Sequence, residues 1–599
     1  LSRSGRLVLT LCALAPVFSA PLIGRAEPRA AIVGSLDRAL RAELGPAIGD
    51  VKTPPATPAE ARRRARDAAA DVSALLRSEG YYEAEVTPDI GDGVAPKAIV
   101  KVTPGPRFHF KAPVVDWIGA PPPFPVNVDA KASLKLVVGA PGRAADVLAA
   151  EARAVTALHK AGYADAEAEP REVVVDHDDK SVQPTFKLAA HDLVRLGVVR
   201  LSGRTRTKAY FVRRLAPWKP GDIYDPVKIA KLEQRLIDAG VYDGVSVTLA
   251  PPATTGAAGV RRAVLVRLDD RKPRTLEVGA GYSTTQGSGL DGRYILYNRL
   301  GRADSLIFTA RLYDIQQKLD AELDLPDFLR ADQILKVGGG FLADRTPAYD
   351  DLGGGVRANV ERHYSKTTFI GLGATFDYTT TKEKTAINAQ ATPVGERLHL
   401  FIPALNAGFS LDRTNDPLNP VRGFKIDAQV EPTYIFGDRN LAYLKGVAQA
   451  SVYVPFDPAA DTVIAARVRV GTILGGSIPD VPADRRFYAG GGGSVRGYGY
   501  QDVGPRLADN TPEGGLSLAE ASFEIRRHVI GKWSGVAFVD AGAVGSGPSP
   551  SFTGYGLGAG LGVRYDLGFA PLRIDIGTPL RRQEGDAAVQ VYISLGQSF

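Results

Sequence analysis

From Arg274 onward the chain alternates apolar and polar residues with a period of two, and keeps doing so to its end. In the first such segment Leu276, Val278, Ala280 and Tyr282 share one face, and Glu277, Gly279, Gly281 and Ser283 share the other. Over 554–567, Tyr555, Leu557, Ala559, Leu561, Val563, Tyr565 and Leu567 alternate with glycines, Arg564 and Asp566. At the end Val589, Val591, Ile593, Leu595 and Phe599 alternate with Gln590, Tyr592, Ser594, Gly596 and Ser598. A period of two sends successive side chains to opposite faces of a strand. A soluble sandwich gives the same alternation as a membrane barrel, so number and continuity must decide. Sixteen candidate strands start near 274, 289, 304, 317, 334, 352, 367, 396, 422, 441, 461, 517, 534, 554, 571 and 588. Region 271–599 thus allots about 20 residues to each strand and its connection, enough for membrane strands of roughly 9–11 residues. The count is even, and only a closed barrel satisfies every backbone group in lipid. The expectation is a 16-stranded antiparallel transmembrane β-barrel.

Before residue 271 helical patterns mix with short strands, and a repeat is visible. Helix-like segments at Pro58 to Ser78, Arg143 to Lys160 and Pro226 to Ala239 each end in a glycine punctuation: Gly80-Tyr81, Gly162-Tyr163 and Gly240-Val241-Tyr242. Each glycine sits where a helix takes a left-handed cap. Two strand-like runs follow each one. The third unit also has a leading strand, Leu193 to Leu201, and a short helix near Thr207 to Leu215, giving the order β-α-α-β-β. The second fits that order with an interruption at Pro121 to Pro125, and the first lacks a clear leading strand. The expected α+β domains are 27–105, 106–190 and 191–270.

Residues 1–26 have the layout of a secretory signal peptide, with Arg3 and Arg6 before the apolar run Leu7 to Phe18 and small residues at Ala20 and Ala26. The single cysteine, Cys12, lies within it, which removes disulfides and Cys nucleophiles from the rest. Net charge is +7, and no Lys/Arg cluster is interleaved with aromatics, which disfavours nucleic acid as a partner. The seven histidines show no metal-ligand spacing, and no nucleophile and base can be nominated, so neither an enzyme nor a cofactor is implied. His177, within Asp176-His177-Asp178-Asp179, reads as a solvated turn.

The longest connection, about 476–516, holds Gly490-Gly491-Gly492-Gly493-Ser494-Val495-Arg496-Gly497-Tyr498. Structureless connections of that length are usually functional or disordered. In the next strand Ala519, Ala521, Phe523 and Ile525 face out, which turns Glu520, Glu524 and Arg526 inward; in the one after, Asp540 faces in. A loop folded into the lumen can set Arg496 against Glu524 and Asp540, since a guanidinium fork suits carboxylates. The plainer alternative is a solvated Arg496 above acids that merely line a polar lumen.

Val495-Arg496-Gly497-Tyr498 after its glycine lead resembles the loop motif of the bacterial outer-membrane assembly superfamily that includes BamA and TamA. Phe538-Val539-Asp540-Ala541-Gly542 and Ser522-Phe523-Glu524-Ile525 resemble that family's neighbouring strand motifs, and the terminal Phe599 fits it. The repeats resemble its periplasmic polypeptide-transport-associated (POTRA) domains, with Val102-Thr103-Pro104-Gly105-Pro106 like a junction between two. The resemblance implies an outer-membrane location with the N-terminal domains in the periplasm. It also implies insertion of unfolded β-barrel proteins such as autotransporters. Three such domains resemble a TamA-type member, which would work with a TamB-like inner-membrane-anchored partner and with outer-membrane lipids. The expected lateral seam joins the first strand (Leu276, Val278, Ala280, Tyr282) to the last (Val591, Ile593, Leu595, Gly596, Phe599). Rival readings are a two-partner secretion transporter and a passive channel lined by Arg467 and Arg469.

Overall fold

The computed structural model describes residues 27–51, 53–91, 96–252, 261–284, 287–365, 367–384, 397–568 and 571–595. The expected signal peptide and the seam residues Gly596 and Phe599 lie outside the described residues.

Sixteen antiparallel strands close into a barrel in chain order. They are β1 (Arg274–Ser283), β2 (Gly287–Tyr297), β3 (Ser305–Tyr313), β4 (Gln316–Pro326), β5 (Gln333–Arg345) and β6 (Tyr349–Ser365). Next come β7 (Thr368–Glu383), β8 (Arg397–Asp412), β9 (Gly423–Gly437), β10 (Leu441–Pro455) and β11 (Thr462–Leu474). After the long connection follow β12 (Ser517–Ile530), β13 (Trp533–Gly545), β14 (Gly556–Asp566), β15 (Pro571–Pro579) and β16 (Gln590–Leu595). Each begins within three residues of its expected start, because the alternation that defines the strands is the one that sorts residues between lipid and lumen. Leu276, Val278 and Tyr282 are exposed on the outer wall, as are Leu352, Val356, Leu372 and Leu561. Among the described residues no helix is long and apolar enough to cross a membrane.

The segments before the barrel form three sheets in which the last strand lies inside; the first and third have three strands, and the second has four, because its leading strand comes in two pieces, His109–Phe110 and Val114–Ile118, both paired in parallel with Ser181–Ala189. In the first, helix α1 (Arg38–Ile48) and helix α2 (Pro58–Ser78) cover strands 31–33, 85–90 and 98–103. Helix α2 starts where Thr57 accepts the Glu60 N–H and Pro58 takes a position that has no helical donor to lose. It buries Ala61, Ala65, Ala68, Val72 and Leu76, whose spacing is one helical face. The leading strand obscure in the sequence is Ala31–Val33, three residues paired in parallel with Ile99–Lys101. So short an element offers too few alternating residues to stand out. The second sheet carries α3 (Val126–Ser133) and α4 (Ala144–Lys160); the third carries α5 (Ala209–Leu215) and α6 (Pro226–Asp238).

The glycine punctuation has a structural reason. Gly80, Gly162 and Gly240 have φ of 93°, 105° and 70°, the left-handed region that ends a helix without a side-chain clash. Each turned-out carbonyl then accepts a donor from the module that follows. Phe108 N–H donates to Gly80 at 2.9 Å and Val194 N–H to Gly162 at 2.9 Å. The Arg271 guanidinium donates to Gly240 at 2.9 Å. His177 sits in the exposed turn between Glu167–Asp176 and Ser181–Ala189, as expected, and its ring lies 3.1 Å from Glu83 of the preceding unit, beside Lys180.

Candidate functional site: the lumenal loop and the seam

The connection between β11 and β12 folds back inside the barrel. It has structure of its own, a 3-10 turn at Ala483–Arg485 and bridges pairing Phe487 with Gly515 and Ala489 with Val503. Its apolar residues Val481, Phe487, Ala489, Val495, Tyr498 and Val503 pack against Leu400, Ile402, Ile435, Ile473 and Val544 of the wall. The lumen at this level is therefore an apolar core, where the alternation alone implies a polar lining. The loop supplies the partner that lets this part of the inward face be apolar.

Arg496 is 1% exposed within this packing. Its Nε and Nη2 donate to the two oxygens of Asp540 on β13 at 2.6 and 2.9 Å. Its Nη1 donates to Glu524 on β12 at 2.6 Å and to Asp575 on β15 at 3.1 Å. Its backbone N–H also reaches Asp540, at 3.1 Å. The guanidinium carbon stands 3.5 Å from the centre of the Phe538 ring, stacking the cation on an aromatic face. A fork with bidentate and further charge-assisted bonds is the geometry a planar guanidinium holds and an ammonium does not. The acids are shared with other cations: Arg526 pairs with Glu524 at 2.8 Å, and Arg573 with Asp575 at 3.0 Å.

The parity of β12 and β13 puts Glu524 and Asp540 in the lumen as expected. Asp575 and Arg573 carry no motif, Arg564 enters only as one of the alternating residues of 554–567, and Phe538 only as part of the strand motif. The same parity finds them, since Leu572, Ile574 and Ile576 face out and leave Arg573 and Asp575 facing in. Arg467, a pore-lining cation in the channel reading, is 6% exposed and donates to the loop carbonyls of Gly493 and Ser494 at 3.0 and 3.1 Å. Arg469 lies 3.6 Å from Glu520. The loop is also fixed to the far wall, where Arg486 donates to Glu383 on β7 at 2.9 Å with both side chains buried.

Glycines let the loop lie flat on the wall. A Cβ at Gly558 on β14 would stand 1.9 Å from the Arg496 carbonyl oxygen, and one at Gly577 on β15 would stand 2.9 Å from the Gly497 nitrogen. Tyr498 extends the hold, donating to Arg581 O at 2.7 Å and accepting the Leu557 N–H at 3.0 Å.

The seam lies beside this loop. Among the described residues β1 meets β16 in two register pairs, Tyr282 opposite Ile593 and Ser283 opposite Tyr592. Beyond them Thr284 donates its N–H to Val591 O and accepts the Val591 N–H, both at 3.0 Å. Leu276, Val278 and Ala280 are matched to β2, and among the described residues they have no register pair with β16. On its other edge β16 pairs with β15, Val591 opposite Ile576 and Leu595 opposite Leu572.

A sixteen-stranded barrel with a clamped inner loop and β-α-α-β-β units before it defines a class of outer-membrane assembly and transport proteins. The family model described as the Omp85 superfamily domain matches residues 298–599, half of the chain, and the chain belongs to that superfamily. A second model, described as a surface antigen variable number repeat (POTRA), matches residues 194–266. The chain is similar to the outer membrane protein assembly factor BamA of Neorickettsia risticii, 22% identical over 436 residues, covering 70% of this chain and 57% of that protein. It is 24% identical over 361 residues to BamA of Nitratidesulfovibrio vulgaris, covering 58% of this chain and 43% of that one. The chain thus spans about half the length of the curated relatives it matches. The crystal structure of BamA from Haemophilus ducreyi lacking POTRA domains 1-3 shares the fold, with a TM-score of 0.68 at 17% identity, covering 82% of this chain and all of that one. Family and barrel fit the outer membrane of a Gram-negative bacterium.

Proposed function

We propose that this protein inserts unfolded β-barrel proteins into the outer membrane by opening sideways between β1 and β16. The observation that carries the reading is the seam, which among the described residues has two register pairs in a wall otherwise joined by longer registers. An opened seam presents strand edges that template an incoming strand, so the substrate satisfies its backbone before it meets lipid. In this reading Val495, Arg496, Gly497 and Tyr498, with Glu524, Asp540 and Asp575, hold the loop while the seam moves. The units at 27–105, 106–190 and 191–270 act as POTRA domains in the periplasm and guide the substrate. The finer part of the proposal is a TamA-type role with autotransporter substrates and a TamB-like partner on the first unit; its support is the resemblance of the loop and strand motifs.

The test places Tyr282→Cys and Ile593→Cys, a register pair, in the protein reconstituted in vesicles. Insertion of an unfolded autotransporter barrel is followed with the pair oxidised and then reduced. Arrest on oxidation and recovery on reduction are expected. Equal insertion in both states rejects the lateral gate. Steady ion-selective conductance with no insertion in either state favours the channel.

A further inference from the structure

Among the described residues the last strand shares six register pairs with β15 and two with β1, and it reaches the lumenal loop through Tyr592. Tyr592 lies on the lumenal face of β16 and is 2% exposed. Its hydroxyl accepts the Gly497 N–H at 3.0 Å and donates to the Tyr498 carbonyl at 3.2 Å. Both partners are backbone groups of the loop, on either side of the Gly497–Tyr498 peptide bond that follows Arg496. The ring has its place because residue 492 is glycine: a Cβ there would stand 2.8 Å from Tyr592 Cδ1. In register, Tyr592 lies opposite Asp575 on β15, an acid that receives Arg496, and opposite Ser283 on β1, in the seam itself. One side chain therefore belongs at once to the seam, to the strand beside the clamp and to the loop.

We infer that Tyr592 is a positioning residue that fastens β16 to the lumenal loop, so that the seam opens by movement of β1 while β16 stays with the loop. This rests on the lateral-opening reading above and deepens it. Among the described residues β16 has six register pairs to β15 as well as the hydroxyl bonds to the loop, whereas the seam has two pairs. The weaker junction separates first, and the strand that leaves is β1, for which no bond to the loop is found among the described residues. A phenylalanine at 592 keeps the ring and its packing but removes both hydrogen bonds, leaving the Gly497 N–H and the Tyr498 carbonyl without this partner.

The experiment uses the full chain in vesicles with two spin-label pairs. One spans the seam, Val278→Cys with Leu595→Cys. The other ties β16 to the fixed wall, Leu595→Cys with Ala521→Cys on β12. In the wild-type background the seam distance is expected to vary while the β16–β12 distance stays narrow. Tyr592→Phe is expected to broaden the β16–β12 distribution several-fold and to raise Gly497 amide exchange, with heat resistance unchanged because Arg496 keeps its acids. A β16–β12 distribution that Tyr592→Phe leaves as narrow as before overturns the inference, whatever insertion does. If the distribution broadens but neither form inserts substrate, the fastening stands and the insertase reading falls. Should Tyr592→Phe fail to fold, Gly492→Ala crowds the ring from the loop side, and the same two distances decide.

Discussion

Two junctions of one wall differ eightfold in register. β6 and β7 face each other over sixteen pairs, while β1 and β16 share two among the described residues. Both are antiparallel edges of the same sheet and carry the same outward apolar pattern. Closure of a barrel is thus not a uniform property. It is carried by the long strands of the back wall, and the edge is hidden at the seam by little more than contact. The loop lies across this asymmetry, tied to β7 by Arg486 and to β12, β13 and β15 by Arg496.

The largest effect is expected where the loop is tied. Arg496→Ala leaves three acids that shared this cation in a buried site. Breaking such a pair costs about 3–5 kcal/mol. Heat resistance in detergent should fall sharply, and Arg496→Lys should recover only part of it because an ammonium cannot span two carboxylates bidentately. Unchanged heat resistance would show that the loop does not brace the wall. A step smaller is Gly558→Ala, whose Cβ meets the Arg496 carbonyl oxygen at 1.9 Å; overpacking of this kind costs about 1–3 kcal/mol. Gly371→Ala on the back wall meets only Glu361 Cγ at 3.6 Å and should be near neutral. Equal melting shifts for the two glycines would break the contrast between loop side and back wall.

Amide exchange tests the contrast directly. Amides of 282–284 and 591–593 should exchange well before those of 352–362, because opening free energy follows the number of paired groups that separate together. A disulfide across the back wall, Ala358→Cys with Ala374→Cys, should leave insertion unaffected, in contrast to the seam pair. The smallest effect lies outside the barrel. Hydrogen bonds from Lys180 and His177 hold the Glu83 carboxyl below its ordinary pKa. A depressed carboxylate contributes above its unfolded pKa, and its contribution is lost as pH falls through the folded value. Lowering pH from neutral to below the usual Glu value of about 4.3 should loosen the first unit from the second. Seam protection, taken relative to the intrinsic exchange rate at each pH, should be unaltered across that window, which would separate the wall's asymmetry from the units before it.

The alternation made the barrel legible, since facing lipid or lumen is decided residue by residue. It also set Glu524 and Asp540 on the side where Arg496 finds them. It did not reveal that Arg496 reaches Asp575 as well, because parity gives the face of a residue and not its height along the wall. Nor did it foretell the two-pair seam: the register of strands some three hundred residues apart is fixed by closure of the whole sheet and not by either segment's pattern. The apolar lumen was hidden for a related reason. Leu400, Ile402 and Ile435 were visible, but what covers them is a loop whose path the sequence does not state. Ala31–Val33 was missed because three residues carry no periodicity to read.

The glycine carbonyls between the units bear on how this protein is taken apart in the laboratory. A recombinant fragment cut at residue 105 lacks Phe108, and one cut at residue 190 lacks Val194, the donors to Gly80 and Gly162. Each such cut strips the end of a helix of its hydrogen-bond partner and bares the apolar surface around it. Fragments that run on to 110 or to 196 keep the donor on the same polypeptide. The borders by which the sequence divides into repeats are therefore the wrong places to cut.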